Sequence, residues 1–230
     1  MSIHRTKSLN NISERKIEEK RVAIENNDDS LEVKTIKLNL INRYYESNIP
    51  LEYWNLEMEK HFSGDPNLLQ FYTDYTSDIK TSYQEGKGHC FAGNYGLGKT
   101  MSGCNILKKC IRKGYSCLYT NLSDIVSVIT GGPHEDRYYA KKELTSVDFL
   151  FIDEWDNRFM ANEAASDLYA RTLETIIRTR AQNNMPTLFA TNSPNIVEAF
   201  TGNLKNSLSS LKSGYIVEVP VFGEDFRGKK

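Results

Sequence analysis

The sequence predicts an α/β fold in which a parallel sheet is covered by helices on both faces. Three observations predict it. From Gly86 onward, short apolar runs alternate with stretches of helical periodicity, as in consecutive β-α-β units. One of those runs, His89-Cys90-Phe91-Ala92, feeds the octet Gly93-Asn94-Tyr95-Gly96-Leu97-Gly98-Lys99-Thr100. Another, Val147-Asp148-Phe149-Leu150-Phe151-Ile152, ends in the paired acids Asp153-Glu154.

In chain order, residues 1–48 read as a charged, helical N-terminal extension and 49–230 as the α/β domain. Ser13 to Arg21 supports a helix through i,i+4 charge pairs, either exposed or covered by a partner. Asn26-Asn27-Asp28-Asp29-Ser30 breaks it, and Leu31 to Tyr45 forms a second, more apolar helix. The extension reads as a partner-docking element or as a disordered terminus. Ile49-Pro50 opens a linker-like stretch rich in aromatics, followed by a helix over about 67–85. Strands are then expected at 88–92, 116–120, 147–152, 187–191 and 214–219. Helices are expected at 99–113, 123–130 and 163–183, with short ones between 195 and 212.

The chain has 230 residues, enough for one domain with a real core and a short appendage. A mean hydropathy of -0.53, no apolar run near the ~20 residues needed to span a bilayer, and a polar N-terminus predict a cytoplasmic protein with no membrane partner. Net charge of -1 argues against a protein that coats nucleic acid by bulk electrostatics. Lys108, Lys109, Arg112 and Lys113 read as a solvated helix face with its cations at the favourable C-terminal end. Cys90, Cys104, Cys110 and Cys117 lack C-x-x-C pairing and read as buried thiols. The scattered histidines have no metal-ligand spacing.

The octet has the spacing G-x-x-x-x-G-K-[ST], in which glycines let the backbone approach phosphates and a following helix adds its positive end. Gly93, Asn94, Tyr95, Gly96, Leu97, Gly98, Lys99, Thr100 and Met101 are therefore the expected nucleotide-binding set. Lys99 would reach the β- and γ-phosphates, and Thr100 would place its hydroxyl on a magnesium ion. Asp153, at the carboxyl end of a buried strand, is the second expected magnesium ligand. Glu154 is placed to orient and deprotonate the attacking water. The strand Thr187-Leu188-Phe189-Ala190-Thr191 delivers Asn192 to the same sheet edge, where its amide can contact the γ-phosphate or the water. Lys99, Glu154 and Asn192 are the expected catalytic residues, with ATP and magnesium as cofactors.

The succession GNYGLGKT, LFIDEW and TLFATNS, with Tyr119-Thr120-Asn121-Leu122-Ser123-Asp124-Ile125 between the first two, resembles the AAA+ ATPases of the DnaC/DnaI helicase-loader and IstB group. The resemblance runs from about Ile49 to Arg227, closing on Glu224-Asp225-Phe226-Arg227. It implies a P-loop sheet of five strands in the order 5-1-4-3-2 without a C-terminal helical lid, since the chain stops soon after the last strand. It also implies Walker A and Walker B roles for the two motifs above. Subunits would assemble around ATP at their boundaries and bind single-stranded DNA together with a replicative ring helicase. The group places a trans-acting arginine near the short helix after the Asn192 strand, but here that stretch is Leu204-Lys205-Asn206-Ser207-Leu208. Lys205, Lys212, Arg178 and Arg180 are the substitutes, and Arg180 matches an arginine frequent in the group. The segment that helps line the DNA path in loaders holds Arg137, Tyr138, Tyr139, Lys141 and Lys142, suited to backbone contact and base stacking.

These features lead to an expected ATP hydrolase, weak without its partner, that loads or remodels a replicative helicase on single-stranded DNA in a bacterial or phage-infected cell. Two rivals remain: an IstB-like transposition ATPase acting on duplex DNA with a transposase, and an ATP-regulated binding module with little turnover. A small-molecule kinase is more distant, because Asp153-Glu154 and Asn192 favour water activation over acceptor binding.

Overall fold

Five parallel strands form one sheet in the order β2-β3-β4-β1-β5, the 5-1-4-3-2 arrangement expected above, read from the opposite edge. This computed structural model describes residues 12–156, 163–199, 202–212 and 214–225. Residues 1–11, and Phe226 and Arg227 of the closing segment, lie outside the described residues. The strands are β1 (Gly88–Ala92), β2 (Cys117–Asn121), β3 (Phe149–Asp153), β4 (Thr187–Thr191) and β5 (Ile216–Pro220). Every residue of the central strands β3 and β4 is buried, which is why both read as continuous apolar runs.

Side chains alternate between two apolar layers, as a pleated strand requires. Leu150 and Ile152 enter one layer with Phe189, Trp155 and the inner faces of α7 (Leu122–Gly131), α8 (His134–Ser146), α9 (Glu163–Gln182) and α10 (Gly202–Lys212). Phe149 and Phe151 enter the other with Phe91, Leu188 and the inner face of α6 (Lys99–Arg112). On that second side α6 packs so closely that a β-carbon added at Gly103 would lie 2.3 Å from the Phe151 ring.

The same layer takes in the N-terminal elements. Ile17 of α1 (Glu14–Glu25) and Tyr44 of α2 (Leu31–Glu46) are buried in it, with Leu68 and Tyr72 of α4 (Pro66–Ser77) and Ile79 of α5 (Ile79–Glu85). α2 is therefore docked on the domain rather than left to hang free. Arg43 donates to Ile111 O at 2.5 Å and to Tyr115 O at 2.9 Å, and Ser47 O accepts from Tyr119 N at 2.8 Å on the outer edge of β2.

Two helical expectations need correction. The single helix over 67–85 is two, because Asp78 leaves helical geometry (φ -135, ψ 78) and caps α5 by accepting from Thr81 N at 3.1 Å. Residues 134–146, for which no helix was expected, form α8, which follows Pro133 with Glu135 and Asp136 in its first turn. It buries only Ala140 and Leu144, so its periodicity is faint.

Candidate functional site

The carboxyl ends of β1, β3 and β4 converge on one cavity of about 400 Å³. β1 runs into the glycine-rich turn, where Gly96 (φ 73) and Gly98 (φ 83) adopt the left-handed conformations that only glycine takes cheaply. Gly98 is the N-cap of α6, so the helix's free N–H groups and its positive end open into the cavity. Gly96, Leu97, Gly98, Lys99, Thr100 and Met101 all line it, together with the exposed ring of Tyr95.

Lys99 is nearly buried, and its ammonium donates to Gly93 O at 2.7 Å, Asn94 O at 2.5 Å and Asn192 Oδ1 at 3.0 Å. The loop's cation and the polar tip of β4 are thus in direct contact across the cavity.

Asp153 closes the other side. Burial raises its pKa above the usual carboxylate range, and hydrogen bonds from the Glu154 N–H, the Thr100 hydroxyl and the Tyr119 hydroxyl pull it back down. The Glu154 N–H lies 2.9 Å from Oδ1 and the Tyr119 hydroxyl 3.1 Å from Oδ2. A buried carboxylate beside a threonine hydroxyl, in a cavity open to solvent, is a donor set that fits a hard divalent cation. Thr100 and Asp153 would hold magnesium here. Among the described residues there is no group of three histidine, cysteine, aspartate or glutamate side chains suited to another metal.

Glu154 is exposed, lines the cavity and sits in the left-handed region (φ 50), which costs a non-glycine residue about 1 kcal/mol. The neighbouring backbone holds that turn: Trp155 N donates to Ala190 O at 2.8 Å, and Asp156 N to Glu154 O at 2.9 Å. A carboxylate held in this way beside the Thr100–Asp153 pair can take a proton from a water in the cavity.

Four lining or supporting residues escaped the sequence reading. Glu52, Tyr53 and Leu56, from the aromatic linker, form a wall of the cavity. Their aromatic-rich surroundings were the sole signal. Tyr119 supports Asp153 from the adjacent strand; Tyr119 pairs with Phe151, so it shares a face with Asp153 two residues on.

Other expected residues are placed elsewhere. Arg180 is fully buried in α9 and is not available to a neighbouring subunit. Its guanidinium donates to Thr187 Oγ1 (2.8 Å), Leu144 O (3.1 Å), Val147 O (2.9 Å), Asp148 O (3.2 Å) and Pro186 O (2.7 Å). It ties the end of α8 to the starts of β3 and β4, and burial lowers its pKa to about 10. Arg178 pairs with Glu174 at 2.7 Å and Lys212 with Glu218 at 2.8 Å, both partly exposed, while Lys205 is exposed on α10. Lys108 also departs from expectation: it is 2% exposed rather than part of a solvated face. Arg137, Tyr138, Lys141 and Lys142 form one exposed stripe along α8.

The sequence matches the family described as "ATPase family associated with various cellular activities (AAA)" over residues 89–206, just over half of the chain. The chain belongs to the AAA ATPases. The matched span of this AAA ATPase runs from β1 into α10 and so takes in the octet, Asp153-Glu154 and Asn192. No curated protein matches the sequence.

Solved structures share the fold at low identity. A DnaI structure superposes with a TM-score of 0.59 at 17% identity, covering 77% of this chain and 94% of that one. The DnaC helicase loader gives 0.57 at 18%, covering 75% and 100%. The replication initiator DnaA, bound to AMPPCP and single-stranded DNA, gives 0.56 at 17%, covering 74% of this chain and only 50% of its own.

Proposed function

We propose that this chain is an ATP- and magnesium-dependent accessory ATPase of DNA replication that loads or remodels a ring helicase on single-stranded DNA. The observation that carries the reading is the single cavity in which Lys99 meets Asn192 and Thr100 meets Asp153, with Glu154 at its rim. ATP would lie with its phosphates along residues 93–100, magnesium between Thr100 and Asp153, and the attacking water against Glu154. The likeness to DnaI and the DnaC helicase loader supports the choice of partner. The α1–α2 pair supplies the docking element: Val22, Leu31, Val33 and Ile36 expose apolar surface there. The α8 stripe of Arg137, Tyr138, Lys141 and Lys142 supplies the DNA contact, and subunits assemble around ATP.

The test is ATP hydrolysis measured with single-stranded DNA and the ring helicase encoded nearest to this gene. Stimulation by both, lost in Glu154→Gln while ATP binding persists, is the expected result. Absence of stimulation together with no loss in Glu154→Gln overturns it.

The burial of Arg180 favours a second reading, an ATP-regulated switch with little turnover, because an arginine finger contributes roughly 10³ or more in rate. In that case ATP drives assembly with the partner although hydrolysis stays at its basal level.

A further inference from the structure

The cavity has a wall that the glycine-rich turn does not supply. Glu52, Tyr53 and Leu56 belong to a strap that runs from a short 3-10 turn (Leu51–Tyr53) toward α3 (Met58–His61). A lysine grips this strap from below. Lys108 donates from Nζ to Tyr53 O at 2.7 Å, more closely still to Leu56 O, and more distantly to Trp54 O at 3.5 Å. An ammonium has three hydrogens, and here they meet three successive parts of one strand of backbone.

Keeping that cation buried is costly. Desolvation lowers its pKa to about 8, with the nearby Arg112 acting in the same direction and Glu57 and Glu59 opposing. The main-chain carbonyls of an irregular segment have no helix or ladder to satisfy them, so a buried donor is what fixes their course.

We propose that Lys108 is a positioning residue for nucleotide binding, fixing the Glu52–Leu56 wall of the cavity at a set distance from the phosphate-binding turn. The inference rests on reading the cavity as the ATP site. Thr100 and Lys108 stand on the same helix, eight residues and about 12 Å apart along its axis. α6 therefore acts as a rigid spacer: its first turn grips the phosphates and its third holds the opposing wall in register. Trp54 within the strap is buried, donates from Nε1 to Ile49 O at 2.7 Å, and reports on the strap's position.

The test uses the full chain with AMPPCP and magnesium, followed by calorimetry well below the melting temperature and by Trp54 emission in a Trp155→Phe background. In Lys108→Met, Trp54 emission is expected to shift red and become accessible to iodide, and AMPPCP affinity to fall at least tenfold. Lys108→Gln keeps two N–H donors and is expected to stay within about threefold of the parent. A folded Lys108→Met with unchanged affinity overturns the proposal, as does an equal loss in both variants. Hydrogen exchange on the unsubstituted chain needs no variant to fold: AMPPCP should slow exchange across residues 51–56, and no change there also overturns it. If the unsubstituted chain does not bind AMPPCP at all, the ATP-site reading itself falls, an outcome distinct from either of these.

Discussion

The Tyr119 hydroxyl donates to Asp153 Oδ2 at 3.1 Å from the strand next door, and the backbone of Tyr119 is in turn held from outside the sheet. Ser47 O accepts from its N–H at 2.8 Å, and Asn48 Nδ2 donates to its carbonyl at 3.1 Å. A carboxylate expected to hold magnesium is thereby oriented by a side chain that belongs to neither sequence motif.

Removing that hydroxyl should weaken metal binding without disturbing the phosphate grip. A hydrogen bond to a charged group is worth roughly 1.5–3 kcal/mol, so Tyr119→Phe should raise the magnesium concentration required for AMPPCP binding roughly ten- to hundredfold. A magnesium titration at fixed nucleotide measures this. An unchanged midpoint would mean that Thr100 and the Glu154 N–H suffice to orient Asp153.

Arg180→Met should act on the fold rather than on a neighbour's site. The substitution strands the carbonyls of Leu144, Val147, Asp148 and Pro186, a loss expected to cost roughly 3–5 kcal/mol in urea denaturation. If the variant were as stable as its parent yet poisoned hydrolysis when mixed with it, the trans-acting role would return.

Acid should expose His89. Burial holds its pKa at about 4, against 6.5 for the free side chain, with the rings of Phe71 and Tyr75 at 5.1 and 5.3 Å. Between those values the unfolded chain takes a proton that the native chain refuses, so stability present above pH 6.5 drains away as the pH falls toward 4. The amount is roughly 3 kcal/mol. His89→Leu should remove this component, leaving a shallower fall in melting temperature over that range. Parallel curves for parent and variant would count against the assignment.

Gly103→Ala should be destabilising by roughly 1–3 kcal/mol, because the added methyl meets the Phe151 ring within 2.3 Å in a packed layer. Thermal unfolding measures it, and a neutral result would show that α6 can move away from β3.

The sheet could be read in the sequence because each buried strand is a continuous apolar run bounded by turn residues, and the two motifs stand at strand ends where ligands gather. The candidate site was correspondingly legible through Lys99, Thr100, Asp153 and Asn192, which line one cavity. Arg180 was not: a cation clamped by five acceptors and a cation on the surface look alike in sequence, since four of the acceptors are main-chain carbonyls and the fifth is the Thr187 hydroxyl, all contributed by other elements. Lys108 escaped for the same reason, its neighbours Lys109 and Arg112 making it look like one more member of a charged face. The break at Asp78 did carry a signal, an aspartate three residues ahead of Thr81, whereas α8 buries too little to leave a period.

Trp54 packs edge-on to Tyr44 at 5.8 Å, lies under the Lys20 ammonium at 5.7 Å, and belongs to the strap gripped by Lys108. The strap is thus shared property, with α1 and α2 on one side and the cavity on the other. Thermodynamic reciprocity then applies: any molecule that grips the two helices and alters affinity in the cavity has its own affinity altered by the same factor when the cavity fills. Loading one end of the strap and sensing the other would be a single equilibrium seen from two directions.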